Sequence, residues 1–269
     1  MIELIDRLNQ AMPDGYRVDC PLGKGGQGAV FLGYRGGDQE VALKLFDSPD
    51  VERLKREINL LQSVSCDHVV RLLDFQVLQF DGRSIPMAVY EYIDGGDLRQ
   101  HLQTGGPLGE TELLALGDQI GTAIEALWEK RIVHRDVKPE NIVQASSGRF
   151  VLVDVGFAQH LNLSTITHPA GQPGTNGYRS PEQCGRRQRL TIHSDVFSLG
   201  VTIFEVAAGV HPWNGNQALM EKVSPTVSLH ERCPSLSLRL IGLVNQMLRR
   251  RPSERPANPG TRFRQLRGK

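Results

Sequence analysis

Apolar positions along this chain change their period once, near residue 94. Before that point "YRVDCP" (16–21) and "AVFLGYR" (29–35) carry β-branched and aromatic residues in partial alternation, which predicts two strands. "EVALKLF" (40–46) predicts a third. "VVRLLDFQVLQF" (69–80) and "IPMAVYEYI" (85–93) predict two more, joined by the turn "DGRS". One segment among them is helical in period: in "VERLKREINLLQ" (51–62), Leu54, Glu57, Ile58 and Leu61 share a face, while Arg53, Lys55 and Arg56 include outward positions. "DGGDL" (94–98) breaks the pattern, and helices follow. Leu113, Leu116, Ile120, Ile124 and Leu127 give one apolar stripe, and "LRLIGLVNQMLRR" (238–250) gives another. "DVFSLGVTIFEVAAG" (195–209) is apolar nearly all round, as a helix buried at the centre of a lobe must be. The expected architecture is α+β, with a small antiparallel sheet lobe bearing one helix (about 1–93), a hinge at about 91–96 and a larger, mainly helical lobe (about 97–269).

Composition narrows the classes of function. A chain of 269 residues can bury a substantial core, and a net charge of +1 supplies no global field for nucleic acid or membrane. Cys20, Cys66, Cys184 and Cys233 are scattered and form no C-x-x-C pair. That pattern points to neither a zinc site nor a disulfide framework, and it suits a reducing compartment. "MIELIDRLNQ" is charged and helical in period, unlike a signal peptide, and no apolar run approaches the length of a membrane span. A cytoplasmic protein is expected, with no sensor, anchor or docking domain in these residues.

Two stretches carry candidate chemistry. "LGKGGQGAVFLG" (22–33) matches G-x-G-x-x-G through Gly23, Gly25 and Gly28. A plain turn, a dinucleotide site or a triphosphate lid would each use such glycines. A dinucleotide site needs a helix after the loop, whereas here the loop joins strand to strand, which leaves a turn or a hairpin lid. "IVHRDVKPENIV" (132–143) sets Asp136, Lys138 and Asn141 in a short polar loop, and "FVLVDVGFA" (150–158) places Asp154 at the end of a strand. Asp and Asn oxygens are the hard ligands that Mg²⁺ accepts beside phosphate, and a further Asp nearby can take a hydroxyl proton.

With the glycine loop, "VALK" (41–44), "HRDVKPEN" (134–141), "DVG" (154–156) and "SPE" (180–182) in this order, the chain resembles the eukaryotic-type protein kinases. Lys138 places the resemblance in the serine/threonine branch; the resemblance is to kinases of the bacterial kind and covers about 16–256. It implies a bilobal protein kinase fold, transfer of the ATP γ-phosphate to serine or threonine on protein substrates, and magnesium or manganese as the metal. Implied ATP contacts are Leu22, Gly23, Gly25, Gly28, Val30, Ala42, Val143, the backbone of Glu91 and Ile93, and Asp97 at the ribose, with Tyr90 as gatekeeper. Lys44 would hold the α- and β-phosphates and pair with Glu57. Asp136 would take the hydroxyl proton, Lys138 would neutralise the γ-phosphate, and Asn141 and Asp154 would hold the metal. Thr175 would meet Asp136 and Lys138 in the substrate loop. Glu182 would pair with Arg255, and Asp195 would hold the catalytic loop backbone. Asp97 and Glu140 mildly suggest a preference for basic residues near the target hydroxyl.

Arg135 has no task in the chemistry itself. In the family it pairs with a phosphorylated residue of the segment 154–182, here Thr165 or Thr167, with Ser164 as a third hydroxyl. Val155 stands where the family usually has Phe, which removes a ring from a stack with Leu61, Leu72 and His134, and Ser180 replaces the usual Ala. The rival readings are a pseudokinase scaffold, which typically lacks groups present here, and a small-molecule kinase, which typically lacks "GTxxY…PE". The basic tail (Arg249 to Arg251, Arg262, Arg264, Arg267, Lys269) reads as a solvated end, and no nucleic acid partner is expected. Oligomeric state is not legible.

Overall fold

A computed structural model of the chain describes residues 2–25, 28–47, 51–154, 159–160, 175–184 and 190–268, without the side chains of Arg53, Arg56, Glu57, Gln159 and His160. The chain divides into two units, Met1–Ser63 with Val70–Ile93, and Val64–Val69 with Asp94–Lys269.

In the first unit, α1 (Ile2–Ala11) precedes β1 (Tyr16–Gly25), β2 (Gly28–Arg35) and β3 (Gln39–Phe46). Then come α2 (Val51–Leu61), β4 (Leu72–Phe80) and β5 (Arg83–Glu91). The strands form one antiparallel sheet in the order β1-β2-β3-β5-β4. Side chains alternate across a strand, so Phe31, Val41, Leu43, Leu45, Met87 and Val89 enter one core with Leu8 of α1. Register then puts Val30 opposite Lys44, Lys44 opposite Ala88, and Ala42 opposite Tyr90. These residues therefore line the other face. Asn9 anchors α1 to β1 by accepting from the Val18 amide at 2.7 Å and donating to its carbonyl at 3.0 Å. Asp81 and Gly82, with φ of 51° and 72°, make the β4–β5 turn. The turn is shorter than the expected "DGRS" because two residues of left-handed φ match the strand twist. The β4 strand also starts later than expected: Val69 instead forms a parallel bridge to Leu152, inside the second unit.

The second unit opens with β6 (Gly95–Asp97), α3 (Leu98–Thr104) and α4 (Glu110–Glu129), followed by β7 (Ile132–Val133), β8 (Ile142–Ala145), β9 (Phe150–Leu152) and β10 (Gln159–His160). Helices complete it: α5 (Pro181–Cys184), α6 (Ile192–Ala208), α7 (Gln217–Met220), α8 (Leu229–Arg232), α9 (Leu238–Met247) and α10 (Pro259–Arg267). The apolar α6 is buried from Ser194 to Ala207. Close packing of α4 on α10 depends on small residues: a Cβ on Gly121 would lie 2.4 Å from the Gly260 nitrogen, and one on Gly117 would lie 2.4 Å from the Phe263 ring. The basic tail is partly used here, since Arg264 and Arg267 donate to Asp118 on α4. Among the described residues no helix is long and apolar enough to cross a membrane. A small antiparallel sheet unit with α2 beside it and a mainly helical unit give the two-lobed α+β fold expected.

Candidate active site

The loop after β7 is set by a buried carboxylate below it. Asp195 near the start of α6 accepts the amides of His134 and Arg135, each at 2.8 Å. Burial pushes this carboxyl up, while His134, Arg135 and the two amides favour its charge. The loop so fixed is strained: Arg135 has φ of 73°, and Asp154 beyond β9 has φ of 56°. Left-handed φ at a non-glycine residue costs on the order of 1–3 kcal/mol and persists where surrounding contacts over-determine it.

Asp136 follows, 1% exposed, and three groups converge on it. The Thr175 amide donates to Oδ1 at 2.7 Å, the Asn141 Nδ2 to Oδ2 at 3.0 Å, and the Lys138 ammonium lies 2.9 Å from Oδ2. Lys138 also donates to the Thr175 hydroxyl. The turn Pro139–Asn141 presents Asn141, whose Nδ2 also donates to the Asp136 carbonyl at 2.7 Å. With its nitrogen committed there, the Asn141 amide keeps its hard oxygen for another partner. Asp154 is half-buried one residue after Val153, whose amide donates to the Asn141 carbonyl at 2.9 Å. Among the described residues no three His, Cys, Asp or Glu side chains cluster to hold a metal. A divalent ion on Asn141 and Asp154 would therefore complete its shell with phosphate oxygens and water, as Mg²⁺ commonly does.

The segment from Thr175 to Cys184 is locked to the same unit. Gln183 donates to the Arg135 carbonyl at 3.1 Å and accepts from the Ser180 amide at 2.9 Å. Glu182 and Arg255, 5% and 3% exposed, meet in two parallel hydrogen bonds of 2.6 and 3.0 Å. The other guanidinium donors go to the carbonyls of His193, Arg249 and Arg250. Ser194 adds a bond to Glu182 at 2.9 Å. Burial alone would raise the Glu182 pKa, but Arg255 outweighs it and holds the carboxyl below its usual range.

In the first unit Lys44 is buried, with its ammonium 5.0 Å from the Phe46 ring centre. Gly28 has φ of 143°, and a Cβ there would meet the Leu45 carbonyl at 1.9 Å, so this glycine is demanded by the hairpin itself. At Gly23 and Gly25 the same test meets nothing within 4 Å, so the backbone there is open to approach. Leu22 is exposed, Val30 and Ala42 are half-buried, and Tyr90 and Ile93 are buried. Glu91 accepts the Arg71 amide at its side chain. In the second unit Asp97 caps α3 by accepting from Gln100, and Val143 pairs with Asp97 in the β6–β8 ladder. Glu57 lies on α2, but its side chain is outside the described residues. Val155, Ser164, Thr165 and Thr167 are outside them too.

Sequence reasoning gave no role to Gln183, Arg99 and Glu205, and it read Tyr178 only as part of the "GTxxY…PE" pattern. Glu205 lies within a nearly unbroken apolar helix, where an acid between apolar neighbours was the available signal. The other three are ordinary polar residues, each with at least one partner distant in sequence.

A family model described as the protein kinase domain matches residues 16–265. The chain is 33% identical over 211 residues to the serine/threonine-protein kinase PrkC of Bacillus subtilis, covering 76% of this chain and 32% of that one. It is 33% identical over 262 residues to the serine/threonine-protein kinase pkn2 of Myxococcus xanthus (90% and 31% covered) and 28% identical over 259 residues to the serine/threonine-protein kinase PknA of Corynebacterium glutamicum (93% and 55%). It thus spans 31% to 55% of the length of these curated relatives. By motif order, fold and a family match that runs almost end to end, the chain belongs to the protein kinase family, as a Hanks-type serine/threonine kinase domain of the bacterial kind.

Proposed function

We propose that this chain transfers the γ-phosphoryl group of ATP to serine and threonine hydroxyls of protein substrates. The observation that carries the reading is the Asp136 carboxylate, buried and addressed by Thr175, Asn141 and Lys138. Phosphoryl transfer asks the protein mainly for positioning and charge stabilisation. Asp136 orients the attacking hydroxyl and receives its proton, and Lys138 balances charge gathering on the γ-phosphate. Asn141 Oδ1 and the Asp154 carboxylate suit magnesium or manganese, which when bound supplies positive charge to the phosphate oxygens. Lys44 holds the α- and β-phosphates, and Glu57 pairs with it. Adenine contacts fall to Leu22, Val30, Ala42, Glu91, Ile93 and Val143, and the amides around Gly23, Gly25 and Gly28 cover the phosphates.

The reading extends to regulation: Thr165 or Thr167 becomes phosphorylated by the kinase itself and pairs with Arg135. Four scattered cysteines with no C-x-x-C pair suit a reducing, cytoplasmic setting. One experiment tests the core of this. The chain is incubated with ATP and generic protein substrates, with and without Mg²⁺, and phosphosites are mapped by mass spectrometry. Phosphoserine and phosphothreonine on the substrates, dependent on the metal, are expected, together with modification at Thr165 or Thr167. No metal-dependent substrate phosphorylation overturns the kinase reading, and unmodified Thr165 and Thr167 overturn only its regulatory extension.

A further inference from the structure

Beside the Asp136 loop, Arg99 of α3 spends its guanidinium on two acids and a phenol. Its Nε donates to Glu140 Oε1 at 2.8 Å, Nη1 to Glu205 Oε1 at 2.9 Å, and Nη2 to Glu205 Oε2 at 3.3 Å and to the Tyr178 hydroxyl at 2.6 Å. Tyr178 in turn donates its hydroxyl hydrogen to Glu205 Oε2. Burial and Glu205 push the Tyr178 hydroxyl well above its usual range, so it stays a donor. The acid seat is thus one buried carboxylate, Glu205, and one at the surface, Glu140, whose side chain is 41% exposed; Arg99 itself is 28% exposed.

The seat is tied at both ends to the segments that hold Asp136. Glu140 lies in the same loop four places on, and Tyr178 lies three places after Thr175, whose amide donates to Asp136. At up to about 3.6 Å per residue, four residues span at most about 14 Å. A substrate peptide offering its hydroxyl to Asp136 therefore carries side chains within about four positions that reach this region. Without Arg99, two carboxylates would face one another, one of them buried, and a planar guanidinium is the partner that best fits such a pair.

We propose that Arg99 is a specificity-determining residue: it fills, from within the chain, an acidic seat of Glu140 and Glu205 that would otherwise select a basic side chain on the substrate. The proposal rests on the kinase reading above. It removes the Glu140 part of the basic preference that Asp97 and Glu140 suggest when the sequence is read alone, because that carboxylate already has its cation.

The test compares the wild-type chain, Arg99→Ala and the double variant Arg99→Ala with Glu205→Gln on peptide libraries with arginine or alanine fixed at each of the four positions either side of the target hydroxyl. The wild type should prefer arginine by less than about twofold everywhere, Arg99→Ala should gain about tenfold or more at one position, and the double variant should lose that gain. A flat Arg99→Ala profile, or a wild type that already selects arginine tenfold, overturns the proposal. Melting of Arg99→Ala with millimolar guanidinium chloride, against sodium chloride at equal ionic strength, reads the seat without requiring activity. Guanidinium should raise the melting temperature of the variant and leave the wild type unchanged, and no difference between the salts overturns the proposal. A wild type inactive on every peptide sinks the kinase reading instead, and the melting comparison still decides whether Arg99 fills a cation seat.

Discussion

At the scale of single residues, Asp136 and Glu182 are both buried carboxylates paired with a cation, and they differ in how far that cation is closed off from solvent. Glu182 is closed on all sides by Arg255 and Ser194, whereas the partners of Asp136 include Lys138, whose side chain is 17% exposed. Removing one member of a closed pair strands a buried charge. Glu182→Ala should therefore lose about 3–5 kcal/mol of stability, read by urea denaturation. His211 gives a pH dependence of definite sign. Its Nδ1 accepts the amides of Trp213 at 3.0 Å and Gly215 at 2.8 Å, and its Nε2 donates to the Gly177 carbonyl at 2.7 Å. Burial, the largest cause, lowers its pKa. The unfolded chain, with histidine near about 6.5, takes up the proton first as pH falls. The stabilisation is thus complete above that value and is lost as pH drops through the lower, folded one. His193 shifts in the same direction, so the wild-type melting temperature is compared with that of His211→Gln between pH 7.5 and 5.5. The wild type should fall more steeply, and equal slopes would show that His211 does not titrate as described.

At the scale of elements, the long periodic segments were legible and the close approaches were not. The strand alternation of β2 and β3 and the apolar stripe of α4 reported themselves, because burial of one face leaves a regular trace. In α10 the buried residues are Pro259 and Gly260 in the first turn and Phe263 one turn on, and a helix with so few apolar anchors has no period to read. Its seat is made instead by absence, at Gly117 and Gly121. Ala is normally favoured over Gly inside a helix by about 0.5–1 kcal/mol. At Gly121 the sign should reverse, since the added methyl meets the Gly260 backbone. Gly121→Ala should cost about 1–3 kcal/mol by overpacking, visible as a lower melting temperature. An unchanged or raised value would show that α10 can shift away at no cost.

At the scale of the whole molecule, the motifs in order gave the family and most of the side chains around Asp136, because each is close in sequence to its neighbours. What stayed hidden were long-range polar ties such as Arg99 with Glu205 and Gln183 with Arg135, which depend on where the helices meet. The account stands or falls on Asp136 as the group that receives the substrate hydroxyl's proton. The most direct measurement is the rate of phosphoryl transfer from ATP to a serine- or threonine-containing protein by Asp136→Asn against the wild type, with melting curves recorded for both. The account predicts a folded variant whose turnover is reduced by roughly 10²–10⁴, the contribution of a positioned acid–base group. A folded variant that transfers phosphate at the wild-type rate would contradict it.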